Sequence, residues 1–341
     1  MKANFGRRNL RDDPMKAAFY SENGAARDVL RIGELTDPVA GAGEVLVRVR
    51  VSGVNPSDTK TRQGAPGRPL EGGARVPHND GAGDIVAVGE GVDAARIGER
   101  VWLHNTGFKR VLGTAAELLA VESENAVLLP DSLSYAEGAC LGVPVLTAYH
   151  AVTLAGPVTG KIILVSGGAG AVGSFAIQIA KALGATVITT VSSADKAAAA
   201  KQVGADMVIN YREEDVAAVV SKMTGGHGVD LVIEVNLSAN APLYDGILAK
   251  GANVAIYGSN ESAVEIDSRM LRVRLGSLHF MNVYELPPET LAAAKYVLSE
   301  MLSSKRIAPL VAQTYTLDDI ASTHEAVEQG TLIGNAVVEI G

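Results

Sequence analysis

A single cysteine, Cys140, stands in a chain of 341 residues. That excludes a disulfide framework and any metal site built from several thiolates, and it fits a reducing compartment such as the cytoplasm. No apolar run approaches the roughly 18 residues of a membrane-spanning helix. Basic residues are outnumbered, 30 Lys and Arg against 38 Asp and Glu, giving a net charge of −8. The chain has no global basic footprint, so nucleic acid is not expected as a partner. Aromatics are scarce at 4%. No Gly-x-Ser-x-Gly elbow and no paired-carboxylate motif is visible, and the histidines (78, 104, 150, 227, 279 and 324) include no i,i+4 pair.

What remains is an ordinary globular balance, 47% apolar and 20% charged, with 37 glycines and length for two domains. Residues 1–14 are polar with mixed charges, lack the apolar segment of a secretory signal, and read as a disordered extension before a fold that starts at Met15. From there to 137 the chain is strand-rich. Residues 44–54 alternate, with Val45, Val47, Val49 and Val51 on one face and Arg48 and Arg50 on the other, the period of a half-buried strand. Further strands are expected at 16–20, 85–88, 100–103, 117–121 and 126–129, separated by Gly and Pro clusters such as 64–67, in an antiparallel or barrel-like domain.

From 138 the pattern changes. Continuous apolar runs at 162–166, 186–191, 207–210, 231–235 and 254–257 alternate with helical stretches, 171–183 and 195–203 the clearest. Helix 171–183 is expected to bury Val172, Ala176, Ile179, Ala180 and Leu183. Such βαβ units build a parallel sheet covered on both faces. A helix at 288–303, a strand at 313–316, a helix at 317–329 and a strand at 336–340 complete the chain and are assigned to the first domain.

Gly168, Gly170 and Gly173 spell G-x-G-x-x-G between an apolar strand and a helix, the context that gives this motif meaning. Small residues let backbone approach a pyrophosphate, whose charge the helix N-terminus stabilises, and Gly173 permits close helix–strand packing. The second strand of an NAD-binding unit ends in Asp or Glu, which bonds the ribose 2′-hydroxyl. Here Ser192 stands at that place, with Lys196 close by and Tyr211-Arg212 ending the next strand, which points to NADP(H). Asp195 competes as a ribose ligand but reads as a first-turn acid of the following helix.

These stretches, together with Gly53-Val54-Asn55-Pro56, Gly98-Glu99-Arg100-Val101, Leu141-Gly142-Val143-Pro144, Thr147-Ala148-Tyr149, Gln178, Lys181 and Asn210-Tyr211-Arg212-Glu213, resemble the quinone oxidoreductase/zeta-crystallin family of the medium-chain dehydrogenase/reductases. The likeness runs from Met15 to Gly341. It implies an α/β protein in which a Rossmann-type doubly wound sheet, 138–278, is inserted in a GroES-like β-rich catalytic domain, 15–137 plus 279–341. It also implies NADPH as cofactor. Carried over by position, Ala169, Gly170, Ala171 and Val172 contact the pyrophosphate, and Ser192, Lys196 and Tyr211 the adenosine 2′-phosphate. Asn240, Tyr257, Gly258, Ser259 and Asn260 line the ribose and diphosphate path. Phe280, Met281 and Asn282 flank the nicotinamide, with Asn55 and Thr147 on its other side in a cleft between the domains. Asn335, where the family has a Lys after Gly, joins the cofactor set. Superfamily members commonly pair through sheet edges, so a homodimer through 277–283 is expected.

Lys60 replaces a pocket Tyr, 78–81 replaces a Pro-Gly-x-Asp-like run, and Ala171 replaces a glycine-like position. Zinc-dependent relatives ligate metal where this chain has Asn55 and Asn79, so no metal is expected, and Cys140 reads as a buried, inert thiol. Without a Lewis acid, a quinone is the acceptor that suits the chain, because its reduced form delocalises its own charge. Asn55, Lys60, Asn79 and His104 are candidate donors to the acceptor oxygen, Asn55 foremost; Asn55, Lys60 and Thr147 form the candidate catalytic set. The alternatives are an NADPH-dependent reductase of alkenals or enones and a non-catalytic NADPH-binding protein of crystallin-like or regulatory type.

Overall fold

A computed structural model describes residues 14–64 and 73–341. The expected N-terminal extension, apart from Pro14, lies outside the described residues, as does most of the 64–67 turn. Among the described residues no helix is long and apolar enough to cross a membrane. The chain divides into two compact units. One holds the described part of Met1–Gly142 together with Val311–Gly341, and the other is Val143–Leu310.

The first unit is built on a seven-stranded sheet. Its path runs Val311–Thr316, Asn335–Glu339, Glu44–Val54, Asp80–Val88, Arg100–Leu103 and Ala126–Leu128, with Leu118–Glu122 also paired to Glu44–Val54. All pairings are antiparallel except that of Val311–Thr316 with Asn335–Glu339. Met15–Phe19 and Arg31–Leu35 form a separate hairpin-like pair. The alternation of the long valine strand holds from Val47 to Val51, but Leu46 before it and Ser52, Gly53 and Val54 after it are also buried, so the strand's end is covered on both faces. Asp80–Val88 begins five residues earlier than its apolar residues suggest. Its first half, Asp-Gly-Ala-Gly-Asp, lacks β-branched side chains, and close packing dictates it. A Cβ on Gly83 would lie 2.9 Å from the carbonyl carbon of Arg48 on the paired strand.

The second unit carries a six-stranded sheet in the order Met207–Asn210, Thr186–Val191, Ile162–Ser166, Val229–Glu234, Leu248–Ile256, Ser277–Phe280. Every pairing is parallel. In chain order this is 3-2-1-4-5-6, the doubly wound Rossmann arrangement, and the α/β fold is the one expected. Strand order reverses between Ile162–Ser166 and Val229–Glu234, so the switch point lies beside the residues that follow Ser166 and Glu234. The Ala171–Ala182 helix buries Gly173, Phe175, Ala176, Ile177, Ile179 and Ala180, a broader face than the expected stripe, while Val172 and Leu183 are only half-buried. The cause is its position against both the sheet and the Val143–Thr153 helix. Pro288–Ser303, assigned from sequence to the first domain, lies in this second unit, where it packs on Val143–Thr153. Ser277–Phe280 likewise joins the parallel sheet here, so the first unit resumes at 311 rather than 279.

Candidate functional site

Because all six strands of the second unit run the same way, their carboxyl ends share one edge. The sequence-predicted cofactor residues of this unit follow those ends strand by strand: 169–173 after the first, Ser192 and Lys196 after the second, Tyr211 after the third, Asn240 after the fourth, 257–260 after the fifth and 280–282 after the sixth.

The glycine turn separates structural from functional need. Gly167 has φ +72°, open to glycine at little cost. A Cβ on Gly173 would lie 2.9 Å from both the carbonyl carbon of Gly167 and the Cα of Gly168, so the helix can pack against its own entry turn only without one. Gly170 differs. It caps the helix at φ −79°, ψ 171°, a backbone any residue adopts, and a Cβ there would come no closer than 3.4 Å to the Gly167 oxygen. Among the described residues nothing requires glycine at 170. What glycine leaves is clear space over the N-terminus of a 12-residue helix, where unpaired N–H groups and the helix dipole favour an anion. The residues present therefore fit a dinucleotide pyrophosphate.

At the second strand end, Ser193 caps the Ala194–Gln202 helix by accepting from the Lys196 N–H at 3.3 Å, and Asp195 is an exposed first-turn acid. Ser192 and Lys196 are half-buried and Tyr211 is exposed. Asn240 is held by its amide to Glu234 at 2.8 Å, and Tyr257, half-buried, has its phenol pushed up by burial and by the Glu234 charge. Gly258 lies close against Val235, Ser259 bonds the Glu261 carbonyl, and the Asn260 N–H donates to Asn236 Oδ1 at 3.1 Å. Phe280 is 70% exposed, Met281 half-buried, and Asn282 caps the short turn that follows. Thr147 is buried on Val143–Thr153.

In the first unit, Asn55 opens the Pro56–Arg62 helix and is 2% exposed. Its Nδ2 donates to Asp80 Oδ2 at 2.7 Å and its backbone N–H to Asp58 Oδ2 at 2.8 Å. Asn79 donates through Nδ2 to the other Asp58 oxygen at 2.8 Å. Two buried carboxylates thus orient two buried amides. Lys60 lies on the exposed side of the same helix, and His104 is buried against Trp102, ring centroids 5.6 Å apart. Asn335 is buried in a strand of this unit, not among the loops of the parallel sheet. Cys140 is fully buried, its thiol pushed up by burial and then by Asp80 and Glu137. Among the described residues no three His, Cys, Asp or Glu side chains gather to hold a metal.

Two features escape sequence reasoning. Histidines 78 and 324, 246 positions apart, meet through their Nε2 atoms at 2.9 Å, both buried. Arg62 Nε donates to His324 Nδ1 at 3.3 Å, and Arg62 also pairs with Glu328 and the Gly24 carbonyl. Because guanidinium only donates, the remaining protons are fixed in turn. His324 carries its proton on Nε2 and donates to His78. His78 carries its own on Nδ1 and donates to Ser52 at 2.8 Å. Ser52 donates to Thr114 at 2.7 Å, and Thr114 to the Asp80 carbonyl at 2.6 Å. Burial lowers His78 to about 3, and burial, His78 and Arg62 hold His324 well below the usual range. No local spacing announces this chain. The second feature, Glu234, did leave a signal: a lone acid ending the apolar run Leu231-Val232-Ile233.

Two family profiles match the chain. Residues 41–131 match that described as alcohol dehydrogenase GroES-like domain, and residues 171–294 that described as zinc-binding dehydrogenase. The quinone oxidoreductase of Lama guanicoe is 30% identical over 328 residues, 95% of this chain and 97% of that protein. The 2-methylene-furan-3-one reductase of Solanum lycopersicum is 38% identical over 210 residues, 59% of this chain and 53% of its own. A mycobacterial protein solved in complex with NADPH has a TM-score of 0.86 at 29% identity, over 95% of this chain and 100% of that one.

Proposed function

The chain belongs to the quinone oxidoreductase family of the medium-chain dehydrogenase/reductases, and from that premise we propose that it is an NADPH-dependent reductase of quinones that needs no metal. The observation that carries the reading is Gly170, whose missing side chain serves no packing purpose and leaves a helix N-terminus open to a pyrophosphate. The mycobacterial relative solved with NADPH supports the choice of dinucleotide, as does Ser192 in place of an acid at the end of Thr186–Val191.

When bound, the dihydronicotinamide supplies the hydride. The protein's part is to orient, to exclude water and to stabilise charge on the acceptor oxygen. We assign that last role to Asn55. Asp80 fixes the direction of its amide by taking one N–H, and the second N–H is the donor to the acceptor. A quinone suits such a site because hydride addition gives a delocalised hydroquinone anion that water can protonate. Metal independence is supported by the amides at 55 and 79, which are tied to Asp80 and Asp58. Activity is expected to survive dialysis against a chelator; loss restored only by zinc would refute this part.

A second reading, reduction of an activated C=C bond, is favoured by the tomato relative, whose name is that of an enone-type reductase. NADPH oxidation with a panel of quinones, alkenals and enones separates the two. The proposal predicts kcat/KM highest for quinones, and an enone preference overturns it. We also propose a homodimer through the sheet edge Ser277–Phe280, beside which Val273, Leu275 and Phe280 are exposed. Sedimentation equilibrium should give twice the chain mass.

A further inference from the structure

Glu234 ends its strand at the switch point with no exposed surface. Burying a carboxylate is expensive unless its oxygens are fully bonded. Four uncharged donors hold this one. Oε1 accepts from the Asn236 N–H at 2.6 Å and from Asn240 Nδ2 at 2.8 Å; Oε2 accepts from the Tyr244 hydroxyl at 3.1 Å and from Ser166 Oγ at 3.3 Å.

The donors come from two places in the chain. Ser166 is the last residue of the first strand and immediately precedes the glycine turn. Asn236 and Asn240 follow the fourth strand. Asn236 then passes the restraint on, because its Oδ1 accepts from the Asn260 N–H at 3.1 Å and from Ser238 Oγ at 2.9 Å. The Glu234 carbonyl itself accepts from the Tyr257 N–H at 3.1 Å, and the Leu237 N–H donates to the Gly258 carbonyl at 3.1 Å. The Glu234 side chain therefore ties Ser166, at the entry to the 167–173 turn, to the 236–240 segment, and that segment is tied in turn to the loop at 257–260 through Asn236 Oδ1, the Leu237 N–H and the Glu234 carbonyl.

We propose that Glu234 is a positioning residue for the dinucleotide, locking the three loops at the carboxyl edge of the sheet into mutual register before the cofactor arrives. This rests on the nicotinamide-dinucleotide reading above. A packed apolar side chain would fill the same space without desolvating a charge, but it would fix no directions. The negative charge itself is no asset at an edge that receives an anion. The need is for acceptors at set positions, and the amide of glutamine meets most of it. Its oxygen can serve Asn236 and Asn240 while its N–H groups donate to the two hydroxyls, which rotate to accept.

The test compares Glu234→Gln, Glu234→Ala and the parent in the full chain. NADPH affinity is read by fluorescence titration, melting is measured without cofactor, and amide hydrogen exchange is followed without cofactor. Glu234→Ala should weaken NADPH by about tenfold or more, and Glu234→Gln should stay within about threefold of the parent, the scale of one or two lost hydrogen bonds. In Glu234→Ala, exchange should quicken at 167–173 and 257–260 while Ile163–Val165 keeps its protection. Parental affinity in Glu234→Ala, or exchange that quickens evenly across the sheet, overturns the proposal. Should Glu234→Ala not fold, Ser166→Ala cuts the arm from the first strand onto Glu234 and Asn236→Ala cuts the onward link to Asn260; weaker NADPH at parental melting temperature supports the role, and parental affinity in both overturns it. If the parent binds no NADPH, the cofactor reading has failed, and the exchange pattern alone decides whether Glu234 orders these loops.

Discussion

Gly170→Ala should leave the fold intact and impair cofactor binding, whereas Gly173→Ala should destabilise the fold itself. At 170 two small effects oppose each other. Alanine is a poorer N-cap than glycine, by roughly 0.5–1 kcal/mol, and it restricts the unfolded chain, which returns about 0.4–1 kcal/mol. The backbone there, φ −79° and ψ 171°, needs no adjustment, and the nearest atom to the new methyl is 3.4 Å away. Net stability should change by less than about 1 kcal/mol. The methyl instead enters the space over the helix N-terminus and holds a pyrophosphate off the N–H groups. Losing one charge-assisted hydrogen bond of about 1.5–3 kcal/mol should weaken NADPH roughly 10- to 100-fold. At 173 the added carbon meets the Gly167 carbonyl and Gly168 at 2.9 Å or less, backbone atoms that cannot yield without moving the turn. Overpacking of this kind destabilises by about 1–3 kcal/mol or more. Urea denaturation without cofactor and NADPH titration of each variant separate the two. A Gly170→Ala protein that binds NADPH like the parent, or that loses stability as Gly173→Ala does, refutes the reasoning.

Ser192→Asp should weaken NADPH far more than NADH, by about 1–3 kcal/mol, as a carboxylate replaces a donor beside the 2′-phosphate; equal affinities for both dinucleotides in the parent would contradict this. Asn55→Ala should lower kcat/KM for quinone about 10- to 100-fold, and it should also cost about 1–3 kcal/mol of stability because buried Asp80 loses a donor. Parental kcat/KM in the folded variant would remove Asn55 from the catalytic role. The His78–His324 pair makes the first unit acid-sensitive. Burial depresses His78 from 6.5 to about 3, so the unfolded chain binds the extra proton first as pH falls. The stabilisation is complete above about pH 6.5 and, for His78, lost at up to about 1.4 kcal/mol per pH unit down to about pH 3, while His324, also held well below its ordinary value, adds to the loss in the same direction. Urea midpoints should fall between about pH 7 and pH 5, and a flat profile across that window would contradict the neutral, directed hydrogen-bond chain.

Local pattern carries most of this fold. The valines at 45, 47, 49 and 51 set the strand Glu44–Val54, and Gly168, Gly170 and Gly173 set the strand–turn–helix unit, because period and turn chemistry act over a few residues. Long-range packing decides the rest. Asp80–Val88 starts where glycines permit close approach to a neighbouring strand, a contact invisible in a stretch without β-branched side chains. Pro288–Ser303 has a legible helical pattern, yet its partner, Val143–Thr153, is more than a hundred positions away, so its unit could not be read locally. The candidate site divides in the same way. The glycine turn and the Ser192 position were legible from their places in the βαβ series, whereas Asn240, 257–260 and 280–282 were reached only through the family resemblance. The Glu234 hub and the Ser52–His78–His324–Arg62 chain join residues that share only space.

The most direct test of the central claim is an anaerobic titration of chelator-treated protein loaded with NADPH against a simple benzoquinone, following the nicotinamide absorbance. One NADPH should be oxidised for each quinone reduced, with no requirement for added metal. No oxidation, or oxidation that appears only when zinc is restored, would contradict it.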